Sequence, residues 1–173
     1  RAYYISYSGK ILAEFPANKV VLDPFGECKG STVIACMYKV PDAGNSCILY
    51  GLYDSSSGRE LVPCSRKEGY PINEERFVLK DTCLIGPEYD DFAAIYDKSG
   101  NVICGGGKYQ DIDFTYGSSY GIGFAISPTD TYYNVINTDG KAVGGKYDSI
   151  DKDADGNFVC KKGDQTETIK PTK

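Results

Sequence analysis

Four times in this chain of 173 residues a β-type run enters a turn that ends in glycine and leaves as a second β-type run. The segments are Ala2-Tyr3-Tyr4-Ile5-Ser6-Tyr7-Ser8-Gly9-Lys10, Tyr50-Gly51-Leu52-Tyr53-Asp54-Ser55-Ser56-Ser57-Gly58-Arg59, Ala93-Ala94-Ile95-Tyr96-Asp97-Lys98-Ser99-Gly100-Asn101 and Tyr133-Asn134-Val135-Ile136-Asn137-Thr138-Asp139-Gly140-Lys141. The turn glycines recur at steps of about 40 to 50 residues, a period that marks stacked or radially repeated supersecondary units. The expected fold is therefore all-β: four repeats of short antiparallel strands in one domain, closed as a small propeller or stacked as an open array. The repeats run over approximately 1–40, 46–82, 89–127 and 131–163, with 164–173 as a polar tail or linker.

The fourth repeat is the clearest. Residues 132–137 read as a strand, Thr138-Asp139-Gly140 as the turn, and the chain returns through Lys141 to Val143. Glycine takes positive φ without a steric penalty, and Asn or Asp before it can hydrogen-bond its own turn. Lys146-Tyr147-Asp148-Ser149-Ile150 alternates polar and apolar as a half-buried strand does, and Lys108-Tyr109-Gln110-Asp111-Ile112 answers it one repeat earlier. No stretch carries sustained helical spacing. Residues 73–80 read as a short helix or as loop then strand.

Bulk composition fits this reading and narrows the partners. Twenty Gly and eight Pro punctuate the chain as many short strands require. A net charge of −5 argues against nucleic acid or an anionic membrane surface, which need clustered Lys and Arg. No apolar run approaches the ~20 residues of a membrane span. The chain begins at Arg1 rather than Met, which reads as a processed product with any targeting segment removed.

Cys28, Cys36, Cys47, Cys64, Cys83, Cys104 and Cys160 form no CxxC pair, and no His exists to complete a mixed zinc site. Two readings stand: small buried thiols in strands, or up to three disulfides plus one left over in an exported protein. The second makes the location extracellular or cell surface; the first makes it cytoplasmic.

Without His there is no Ser-His or Cys-His pair to activate a nucleophile. Gly105-Gly106-Gly107 lacks a phosphate-binding frame and reads as a break between strands. Asp90-Asp91, and Asp111 with Asp113, are carboxylate pairs with no motif that assigns them general acid–base work. Asp151, Asp153 and Asp155, followed by Gly156, resemble the opening of a calcium loop. Its twelfth position, however, is Lys162 rather than a bidentate Glu. Weak calcium binding and a plain Asp/Gly hairpin turn are the two readings. No other cofactor is expected.

Tyrosine is the strongest functional signal, with 15 copies and no Trp. Tyr gives a stiff, amphipathic contact suited to sugars and protein surfaces, although it also fills sheet faces. Tyr116 and Tyr120, in a Tyr-Ser-Gly loop, and the pair Tyr132 and Tyr133 are the candidate ligand-binding residues.

Tyr50-Gly51-Leu52-Tyr53-Asp54, followed by Gly58-Arg59-Glu60-Leu61-Val62-Pro63 and echoed by Lys146-Tyr147-Asp148, resembles the unit of the WG-repeat family of bacterial β-repeat proteins. Tyr50 and Tyr133 stand where that family has Trp. The resemblance implies a binding or scaffold surface and no active site. The expected function is thus a non-catalytic module that recognises a protein or glycan partner through loops on a β-repeat scaffold. A structural subunit that self-associates through edge strands or an intermolecular disulfide is the alternative, and an acidic-residue glycan-active enzyme comes third.

Overall fold

The structure, a computed structural model, describes residues 2–5, 8–15, 21–22, 30–39, 47–81 and 93–172. Tyr7, Cys28, Cys83, Asp90 and Asp91 lie outside the described residues, as do the side chains of Tyr4 and Cys47.

The described chain is all-β, with no helix among its sixteen strands. The first two, β1 (Ala2–Ile5) and β2 (Ile11–Phe15), pair as a hairpin. Sheet I holds β3 (Val21–Leu22), β4 (Thr32–Lys39), β5 (Cys47–Asp54) and β6 (Arg59–Arg66). Sheet II holds β7 (Glu68–Pro71), β8 (Arg76–Lys80), β9 (Ala93–Asp97) and β10 (Val102–Tyr109). Sheet III holds β11 (Asp111–Asp113), β12 (Tyr120–Ser127) and β13 (Asp130–Asn137), and sheet IV holds β14 (Ser149–Lys152), β15 (Phe158–Lys162) and β16 (Gln165–Ile169). Within each sheet, sequence neighbours pair antiparallel, so every sheet is a meander, and none closes into a barrel.

The sheets stack face to face, and strand periodicity explains how. Successive side chains on a strand point to opposite faces. On β8, Phe77 and Leu79 join Ile34, Leu52 and Val62 of sheet I, whereas Val78 joins Ile112, Phe114 and Ala125 of sheet III. On β9, Ala94 and Tyr96 face sheet I while Ala93 and Ile95 face sheet III. Sheet II is therefore covered on both sides, and for that reason β8 reads as an unbroken apolar run between Arg76 and Lys80. Burying a side chain such as Phe77 contributes about 2–3 kcal/mol. A third core joins Val135 and Tyr120 of sheet III to Phe158, Cys160 and Ile169 of sheet IV.

β12 shows what close stacking demands. Gly121 and Gly123 lie on its buried side. A Cβ on Gly123 would stand 2.7 Å from the Tyr109 ring, and one on Gly121 would stand 2.7 Å from the Phe114 ring. The two rings occupy the volume that side chains on this strand would otherwise fill.

The turn glycines join third to fourth strands: β5 to β6 at Gly58 and β9 to β10 at Gly100. In sheet III the strand after Gly140 is short, held by an Ile136–Ala142 bridge and a Val143 N–H bond to the Val135 carbonyl. The expected repeats are therefore out of phase with the sheets. A unit that begins at a hairpin straddles two sheets, because the glycine turn lies inside a sheet and not at its edge. Two further expectations change. Residues 73–80 are a turn followed by β8, without a helix. The expected polar tail from residue 164 is largely β16, paired along its length with β15 and anchored by Ile169 in the core with Phe158. Its Gln-Thr-Glu-Thr run is polar because most of this edge strand is exposed.

Candidate functional site

Sheet IV ends the described stack. By strand alternation its outer face carries Ser149, Asp151, Val159, Lys161, Thr166 and Thr168. Apart from Val159 this face is polar. Its inner face meets sheet III through Phe158, Cys160 and Ile169. Between the 145–147 segment and strands β15 and β16 lies a groove of about 410 Å³ lined by Lys146, Tyr147, Cys160, Lys162, Gln165 and Glu167, among others.

Tyr147 organises the groove. Its hydroxyl accepts a hydrogen bond from Gly145 N–H at 2.9 Å and donates to a Glu167 carboxylate oxygen. Burial first, and the Glu167 carboxylate second, raise the pKa of this phenol above its ordinary value. Gly144, at φ +96°, lets the chain pass over the ring, because a Cβ there would stand 2.4 Å from the hydroxyl.

Sheet III repeats the arrangement with a buried acceptor. Its register sets Ile112 opposite Gly123 and Gly123 opposite Asn134; in sheet IV Ile150, Cys160 and Glu167 take those three places. Tyr109 and Tyr147 each precede the isoleucine by three residues. The Tyr109 hydroxyl donates to Asn134 Oδ1 at 3.3 Å, as Tyr147 does to Glu167. In sheets I and II the third-strand place holds Gly51 and Ala94, and no Tyr stands three residues before the first-strand partner. Polar third-strand residue and Tyr thus occur together.

The groove rim is charged. Lys146 Nζ lies 4.0 Å from the Tyr132 ring centroid and 2.8 Å from Asp130 Oδ2. Lys162 has no carboxylate partner among the described residues. Cys160 lies at the base, 1 % exposed, its thiol pushed up to about 11 by burial and then by Glu167. A thiol so shifted is almost wholly protonated at neutral pH.

The four tyrosines singled out from sequence do not converge. Tyr116 is 38 % exposed at the turn before β12, whereas Tyr120 packs in the core between sheets III and IV. Tyr132 and Tyr133 are neighbours on β13 and face opposite ways. Tyr132 packs against the core of sheets II and III and reaches the groove rim only through Lys146, while Tyr133 lies 4.7 Å from the Phe124 ring. The groove residues were missed because Tyr147 reads as a repeat motif and Gln165 to Glu167 as tail. The Lys108-Tyr109 and Lys146-Tyr147 pairing was the signal that could have found them.

Asp151, Asp153 and Asp155 are all exposed. Asp153 Oδ1 accepts from Asp155 N–H and Asn157 N–H, and Oδ2 accepts from Asn157 Nδ2. The Asn157 hydrogen bonds lower its pKa. Asp97 makes the same set with Ser99 and Asn101, with no Asp triplet present. The loop's geometry is therefore that of the hairpin turn, and among the described residues no three His, Cys, Asp or Glu side chains group to hold a metal. Asp111 accepts an ion pair from Lys80 at 2.6 Å, while Asp113 is exposed. Gly106 and Gly107, both at positive φ, lie where the β10 register jumps from Cys104↔Ile95 to Tyr109↔Ala93.

Cys36, Cys64, Cys104 and Cys160 are thiols. With four of seven cysteines so placed, the three-disulfide alternative is corrected. Cys104 and Cys160 lie in different inter-sheet cores and Cys64 contacts the Ala35 carbonyl, so stacked sheets keep these sulfurs apart. No family model matches the chain, and no curated protein or solved structure matches it either.

Proposed function

We propose that the chain is a non-catalytic binding module that takes a protein or glycan partner in the groove between the 145–147 segment and sheet IV. One observation carries this reading. Lys162, Gln165 and Glu167 line one groove with Tyr147, and the Tyr147 hydroxyl, fixed by Gly145 N–H, holds the Glu167 carboxylate in place before a ligand arrives. Tyr147 is itself buried, so the surface offered to a ligand is the exposed polar set of Lys162, Gln165 and Glu167, whose donors and acceptors suit both sugars and peptides. The nearest thiol, Cys160, is held protonated by burial, and Asp111 is committed to Lys80, which favours binding over chemistry. The four thiols favour the cytoplasmic alternative over the exported one.

The test is a screen of the full chain against a glycan array and a displayed peptide library, followed by Lys162→Glu and Glu167→Gln in any hit. Hits that weaken at least about 10-fold in both variants support the groove. Blank screens at high protein concentration, or hits indifferent to both variants, contradict it.

A structural subunit is the second reading. It rests on β10, the edge strand of sheet II, where Val102 and Ile103 are 57 % and 39 % exposed. Sedimentation as a monomer at all concentrations would remove it.

A further inference from the structure

In sheets I and II the third strand is covered on its outer edge by a fourth. β6 pairs with β5 and β10 with β9, and in sheet III Ala142 and Val143 serve β13 more briefly. In sheet IV the third strand, β16, has no such cover in the described sheet order. The two-residue turn at Gly163 and Asp164 makes Lys162 and Gln165 the closing hydrogen-bonded pair of the β15–β16 hairpin. Alternation along an antiparallel ladder then turns Gln165, Glu167 and Ile169 inward to β15. It turns the N–H and C=O groups of Thr166 and Thr168 to the open edge.

That edge borders the groove, since Gln165, Thr166 and Glu167 all line it. The geometry points to an extended peptide of a protein partner that adds to β16 as the fourth strand of sheet IV. This rests on the binding-module reading and selects protein over glycan.

The chain itself supplies the pattern for the occupant. The internal fourth strands bring Leu61 and Val62, Cys104, and Val143 onto the cores beside their third strands. On sheet IV the inner-face neighbour that waits is Ile169, partly exposed. The occupant therefore carries small apolar residues at alternate positions on one side. Lys162, at the groove rim without a carboxylate partner among the described residues, calls for an acidic residue at one end. Main-chain bonds to Thr166 and Thr168 give affinity, and the alternating side chains give selectivity. The edge is kept from indiscriminate pairing by its shortness, five residues, and by its polar side chains.

The probe is a capped nonapeptide of alternating Glu and Val, used at about 1 mM, the scale a short tether would supply to an internal strand. Amide hydrogen exchange of the full chain is read with and without it. At saturation, exchange at Thr166 and Thr168 should slow at least about 10-fold, with Gln165, Glu167 and Ile169 little changed. The same peptide N-methylated at alternate residues should give no protection. Thr168→Pro, which removes only an outward N–H, should abolish the effect. If that variant misfolds, the N-methylated peptide still decides. Peptide binding without protection at Thr166 and Thr168, or equal protection by the N-methylated form, overturns the inference. Groove binding of a glycan with no response to the peptide also overturns it and leaves the binding-module reading standing, whereas silence from both ends the two together. Protection that rises with protein concentration alone would mean that a second copy takes the edge, which likewise overturns it.

Discussion

The Tyr147 hydroxyl donates to the Glu167 carboxylate across the open end of the stack, and Tyr109 makes the same reach to Asn134 one sheet earlier. Both tyrosines are buried, and they differ in the acceptor: Asn134 is buried whereas Glu167 is exposed. Tyr109 is 1 % exposed and Asn134 6 %, and Asn134 Nδ2 also donates to the Gly145 carbonyl at 2.6 Å. Asn134 thereby fastens the buried tyrosine of sheet III to the loop that leads into Tyr147. The relationship links core stability to groove shape, because Gly145 N–H in turn bonds the Tyr147 hydroxyl.

Asn134→Ala should cost about 2 kcal/mol, since it leaves a buried hydroxyl and a carbonyl without their partner. Tyr109→Phe should cost about 1 kcal/mol. The double variant should lose less than the two together, because the pair shares one interaction. Urea denaturation of the four proteins checks this, and simple additivity would mean that the 3.3 Å contact carries no energy.

Gly140 and Gly156 separate backbone strain from packing. Both have positive φ, +72° and +80°. A Cβ on Gly140 would stand 2.5 Å from Cys104 Sγ, whereas one on Gly156 meets nothing within 4 Å. Gly156→Ala should cost about 1 kcal/mol from φ alone, and Gly140→Ala at least about 2 kcal/mol. Equal losses in thermal melts would mean that the turn of sheet III does not nest on β10.

Stability should hold level between about pH 5 and 8 and fall on both sides. On the acid side, burial raises the pKa of Asp97, but hydrogen bonds from Asn101 and Ser99 outweigh it and the net shift is downward. A depressed carboxylate contributes stability present above its unfolded value, about 3.9, and lost as pH falls through the folded one. On the alkaline side, burial and then Cys104 push Tyr109 up to about 12, and burial and then Glu60 push Cys64 up to about 12. Their contributions are full below the unfolded values, about 10 and about 8.5, and are lost as pH rises toward the folded ones. Asp97→Asn should flatten the acid limb of a urea midpoint–pH curve and leave the alkaline limb unchanged.

Cys64, Cys104 and Cys160 should resist alkylation at pH 8 in the native protein and react together once urea unfolds it. Intact mass with and without reductant reads this directly. Rapid native labelling at any of the three would place that thiol outside its core.

The all-β class and the glycine turns were legible in the sequence because both are local. Alternation and positive-φ residues act within a few positions of one another. The phase of the sheets was not legible, because whether a hairpin opens a unit or sits inside it depends on which strand pairs next, a non-local choice. β16 was missed for a related reason. Gln165-Thr166-Glu167-Thr168 has no apolar alternation, and only Ile169, packing near Phe158, reveals it as a strand. The Asp153 loop shows why spacing alone does not separate a cation loop from a hairpin turn: its carboxylate caps its own turn, as Asp97 does without the triplet. Tyr120 shows the limit of reading tyrosine as a binding residue, since an aromatic suited to a ligand suits an inter-sheet core equally well.

Native-state amide hydrogen exchange of the protein alone tests most directly the stack of meander sheets that ends in an open edge. The slowest amides should lie in β8 and β9, whose sheet is covered on both faces. Along β16 the pattern should alternate, with Gln165, Glu167 and Ile169 slow and Thr166 and Thr168 fast. Slow exchange at all five β16 amides, or β8 amides that exchange as fast as the turns, would contradict the stacked arrangement and its open end.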